Sequence, residues 1–201
     1  MDHYLCLANA MLDYTRENLT TKQVAKRLLR VTNHVDAKNI LFLGGNSNVD
    51  YVRDMLLHGL KASVDIVVDF VRPAHLYDDN ISNAAAAKGS TFNEGLYGLG
   101  YTYAHHLDFN DDLVDRHNIQ SRILQKEFDL IIFGSVHRGM PFLEDVLRSY
   151  AKEDIVFVDG EDEHQSFAKT NILKHRGWYF KRELSELDDG NESGGCSILH
   201  R

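Results

Sequence analysis

Ser135, His137 and Arg138 stand just after the apolar run Asp129 to Phe133, and Asp159, Glu161 and Asp162 stand at or just past the end of a second run, Ile155 to Val158. Two further polar groups follow apolar runs in the same way: Gly44, Gly45 and Asn46 after Asn39 to Leu43, and Lys181, Arg182 and Glu183 after Gly177 to Phe180. If these four groups converge, they bring together a histidine, several carboxylates and several cations. Such a set could take a proton from a hydroxyl while cations steady a phosphate-bearing leaving group.

Convergence is a demand on the elements that carry the residues. Runs of four or five apolar, β-branched-rich residues read as strands covered on both faces. Asp65 to Phe70 reads as another. Between them, Val49, Val52, Leu56 and Leu60 recur at helical spacing, as do Leu113, His117 and Leu124 within Asp111 to Lys126. Leu143, Val146, Leu147 and Tyr150 mark a further helix, with Pro141 expected in its first turn, and His164 to His175 reads as a last one. Alternation of strand and helix predicts an α/β fold: a single Rossmann-like, doubly wound, mainly parallel sheet of about five strands. In such sheets ligands sit outside the carboxyl ends of the strands, where all four polar groups would lie.

Residues 1 to 35 read as a helical preface packed on the domain, with Thr20 or Thr21 as a cap and Val24, Leu28 and Val31 as its stripe. The Rossmann-like domain then runs from 36 to 184, and the acidic, then Gly- and Ser-rich stretch from 185 to 201 reads as a linker or an unfinished tail. The Gly44 turn could cradle an anion or nucleotide at a helix start, although it meets neither the dinucleotide fingerprint nor the Walker loop. Asp69, at a strand end, could bind a ribose hydroxyl or simply be a solvated end. Glycines 89, 95, 98 and 100 with Tyr97, Tyr101 and Tyr103 suit a loop that offers flat rings to a sugar or a partner. His105 and His106 are adjacent and on a strand would point to opposite faces, which argues against one shared metal ion.

A net charge of −8, from 22 basic and 30 acidic residues, argues against non-specific binding to nucleic acid. Cys6 and Cys196 lie far apart without a CxxC pair, which suggests free thiols in a reducing compartment. With neither a signal-like start nor an apolar run of membrane-spanning length, the expected location is cytoplasmic, with no membrane span.

The segments VDYVRDMLLHGLKA, GLYGLGYTYA, FDLIIFGSVHRG, FVDGEDEH and WYFKREL together resemble the amino-terminal Rossmann-like part of GT-B-type glycosyltransferase-related proteins, over about residues 39 to 184. The resemblance implies transfer of a sugar from a nucleotide-activated donor, a nucleotide sugar, without an essential metal or other cofactor. It implies the acceptor-side half of the cleft, facing a sugar or glycan, with the donor on a second Rossmann domain or subunit. Carried onto this chain, His137 or Asp159 would be the base, and Arg138, Lys181 and Arg182 would meet an anionic group. The spacing Asp159-Gly160-Glu161 also resembles the paired-carboxylate metal motif of the other large glycosyltransferase fold, so a divalent ion is the less favoured variant. Two alternatives fit the same residues: a one-domain methyltransferase using S-adenosylmethionine, with Asp69 on the ribose, and a non-catalytic ligand-binding module.

Overall fold

The computed structural model describes residues 2–46, 48–77, 107, 114–161 and 170–182. Two helices come first, α1 (Asp2–Asn18) and α2 (Thr21–Val31). The strands are β1 (Asn39–Leu43), β2 (Ile66–Asp69), β3 (Leu130–Phe133), β4 (Ile155–Asp159) and β5 (Trp178–Lys181). Among them lie α3 (Tyr51–Lys61), α4 (Ile119–Leu124), α5 (Leu143–Ser149) and α6 (Thr170–Lys174). All five strands are parallel, in the order β2-β1-β3-β4-β5. The expected α/β class and Rossmann-like sheet are what the chain adopts.

Strand side chains alternate between faces, so each strand feeds two cores. On one side of the sheet, Ile40 and Phe42 of β1 and Ile132 of β3 join the helical residues Leu28, Leu56 and Leu60. On the other side, Leu41 and Leu43 join Ile131, Phe133, Ile123 and Val146. With α2 and α3 on one face and α4, α5 and α6 toward the other, the central strands have water on neither side, which is why β1, β3 and β4 read as unbroken apolar runs. Strand order reverses between β1 and β3, and their carboxyl ends border the crevice where doubly wound sheets bind ligands.

Local expectations are met in part, as in the helical preface and its Thr20 cap, and corrected in part. The preface is two helices, and only α2 enters the core, through Ala25, Leu28 and Leu29; Val24 is exposed. Thr20 is its cap, accepting from the Gln23 amide. Helix α4 begins at Ile119, after Asn118 in the left-handed region, so the helix expected from Asp111 is shorter over the described residues. Pro141 precedes α5, which starts at Leu143 after a left-handed Phe142, because that residue turns the chain between them. The glycine and tyrosine loop, His105, His106 and the tail from 185 lie outside the described residues, as do positions 164 to 169 of the last expected helix.

Candidate functional site

The loop after β1 and the loop after β3 touch. A Cβ on Gly45 would overlap the Arg138 carbonyl, so only glycine lets the two backbones meet here. Gly139, on the other side of the contact, has φ of 128°, which L side chains rarely adopt.

Asp50 reaches the loop after β3 from the start of α3 and is the site's organiser. It caps that helix, its Oδ1 accepting from the Arg53 amide at 3.1 Å, while the Ser135 hydroxyl donates to its Oδ2 at 2.7 Å. His137 stands between two carboxylates: its Nε2 is 3.6 Å from Asp50 Oδ2, and its Nδ1 is 3.6 Å from Glu161 Oε2. Arg138 Nε is also 3.6 Å from Asp50 Oδ2. Ser135 is buried, His137 is mostly buried, and Arg138 and Glu161 reach solvent, so the group opens outward from a buried floor. Such a histidine has a carboxylate on each side to face the charge gained when the ring takes a proton.

A buried support holds Asp50 in place. The Asp50 amide donates to Asp54 Oδ2 at 3.1 Å, and Asp54 also pairs with Arg53 at 2.7 Å and with His75 at 2.7 Å. Arg53 Nη1 donates to the Asn46 carbonyl at 2.6 Å, and its Nη2 donates to the Asn48 carbonyl. The turn after β1 is therefore fastened from within the fold. The carboxylate of Asp50 already occupies the amino end of α3, the place where the sequence suggested an anion beside Gly44, Gly45 and Asn46.

The other expected site residues separate. Asp159 is fully buried; the Tyr179 hydroxyl donates to its Oδ2 at 2.7 Å, Lys181 Nζ donates to the same oxygen at 3.2 Å, and the Glu161 amide donates to Oδ1 at 3.2 Å. Burial pushes its carboxyl up, but the Tyr179 hydroxyl, the Glu161 amide and Lys181 together outweigh it and hold it below the usual carboxylate range. Its Oδ2 fastens β4 to β5, and its Oδ1 holds the turn at Glu161. Lys181 shares that burial, while Arg182 is exposed. The two carboxylates of Asp159-Gly160-Glu161 thus diverge, one to Lys181 and one to His137. Asp69 is also enclosed, bound by Tyr77 at 2.9 Å, Lys61 at 3.1 Å and Arg116 at 2.5 Å. Asp162 and Glu183 lie outside the described residues.

Asp50 is missing from the set that sequence reasoning assembles, because a helix read as starting at Val49 hides its own cap. The available signal was an aspartate immediately before Tyr51, a side chain well suited to satisfy a first-turn amide. Asp54 and His75 gave no such signal, being separated by 21 residues and joined only by the fold.

Comparison with protein-family models, curated proteins and solved structures gave no match. Among the described residues no helix is long and apolar enough to cross a membrane, and no group of three His, Cys, Asp or Glu side chains could hold a metal ion.

Proposed function

We propose that this chain is the acceptor-side domain of a GT-B-type glycosyltransferase, with His137 as the base that takes the proton of an acceptor hydroxyl and a second Rossmann domain or subunit holding the nucleotide-sugar donor. The observation that carries this reading is the imidazole held between Asp50 and Glu161 at the point where strand order reverses. Two carboxylates against one nearby arginine favour a neutral, hydroxyl-rich ligand over a phosphate, which suits the acceptor better than the donor. Glu161, which reaches solvent, can accept from sugar hydroxyls, and Arg138 can donate to them.

The methyltransferase reading loses support from Asp69, whose carboxylate is already bound by Tyr77, Lys61 and Arg116. Titration of the purified chain with neutral saccharides, nucleotide sugars and S-adenosylmethionine tests the proposal. Saccharides are expected to bind, and His137→Ala to weaken them by about tenfold, the loss of one hydrogen bond to a charged network. Binding of S-adenosylmethionine without saccharide would overturn the reading in favour of a methyltransferase. Binding of neither would favour the non-catalytic module.

A further inference from the structure

Helix α1 presents an apolar face to solvent. Tyr4, Leu7, Met11 and Tyr14 recur at three and four residues, with Leu5 and Leu12 beside them, and all six are more than half exposed. Leu19 continues the face past the end of the helix and lines a groove of about 590 Å³. That groove runs between α2, α3 and the end of β5, walled by Val24, Met55 and Phe180 and floored by the core residues Leu28, Leu56 and Val158. A ridge and a groove, both apolar, therefore adjoin on one molecule.

We infer that a second copy of this chain covers this surface, the α1 ridge of each copy lying in the groove of the other about a twofold axis. Ridge and groove on one chain form a self-complementary patch, which a closed twofold pair satisfies on both sides at once. The charges match as well. Helix α1 has three acidic residues and one arginine, a balance of −2, whereas α2 beside the groove has Lys22, Lys26, Arg27 and Arg30 and no acid, a balance of +4. The six exposed side chains offer roughly 600 Å² per ridge, taking about 200 Å² for each whole aromatic side chain and somewhat less for each aliphatic one. The groove adds to this on each partner, so the pair buries more than about 1,200 Å² in total, the lower bound of standard interfaces. An anionic lipid surface fits α1 less well, since helices that lie on such membranes carry lysine and arginine on the polar face.

Light scattering behind size exclusion, at about 100 µM, where a micromolar Kd is saturated, should give twice the 22.9 kDa chain mass. Met11→Asp on the ridge and Met55→Asp in the groove each replace an exposed residue, so folding should survive, checked by circular dichroism. Each variant alone should be monomeric. Mixed in equal amounts they should recover a weaker heterodimer, because one intact ridge still meets one intact groove. A monomeric wild type overturns the inference, and co-sedimentation of that monomer with anionic vesicles identifies a lipid surface instead. Either variant staying dimeric also overturns it; for Met55→Asp that result points to α1 paired with α1.

Discussion

Removing the carboxylate of Asp54 should unfold this protein more readily than any surface change near the site. Asp54 is fully buried and Arg53 nearly so, and the two are joined at 2.8 Å through Nε and 2.7 Å through Nη2. In Asp54→Ala the guanidinium keeps its carbonyl acceptors on Asn46 and Asn48 but loses its counter-charge, and the Asp50 amide loses an acceptor. Breaking one side of a buried pair costs about 3–5 kcal/mol. With a urea slope of about 2–3 kcal/mol per molar, the unfolding midpoint should fall by roughly 1–2.5 M. Equilibrium unfolding followed by circular dichroism reads this directly. Replacing both partners with apolar residues, Arg53→Met with Asp54→Leu, should recover part of the loss, because the guanidinium is then no longer left buried without its carboxylate. A single-variant loss below about 1 kcal/mol would refute the reasoning, since it would mean that the guanidinium is not dependent on Asp54.

Asp50→Asn separates capping from charge: asparagine caps as well as aspartate, so stability should stay within about 1 kcal/mol, while saccharide binding falls; denaturant melts and titration calorimetry check the two halves. Gly45→Ala should destabilise by about 1–3 kcal/mol by forcing the two loops apart, with the loss read from the urea midpoint. For Asp159 the folded carboxyl sits below its unfolded value, so the native state binds fewer protons and the stabilisation is present above about pH 4 and lost as pH falls through the folded value. Thermal melts from neutral to acid pH should therefore fall more steeply for the native chain than for Asp159→Asn.

The sheet was legible because burial on both faces leaves a direct mark, the unbroken runs Ile40 to Leu43, Leu130 to Phe133 and Ile155 to Val158. His137 and Glu161 were legible for a related reason, as polar residues at the point where such a run must end. Their partner was not. Asp50 belongs to a helix start, and its link to Ser135 spans 85 residues, a separation that no local pattern records. Asp159 misled for the opposite reason: its position at a strand end suggested chemistry, but Tyr179 and Lys181 from the neighbouring strand enclose it. Periodicity identifies the faces an element buries, whereas the partner of a polar group depends on which strands become neighbours.

That dependence explains how the fold prepares the candidate site. One hydrogen-bonded path runs from the Ser135 hydroxyl to the Asp50 carboxylate, and from the Asp50 amide through Asp54 to His75. Asp50 thereby has its backbone fixed by one carboxylate while its own carboxylate is fixed by a helix amide and a serine. A group held from both ends needs little reorganisation when charge changes on the imidazole beside it, which is the condition under which electrostatic stabilisation is most effective. The same fixing places a carboxylate at the start of α3, so under the proposed reading this crevice would face acceptor hydroxyls and the donor phosphate would be held by another surface.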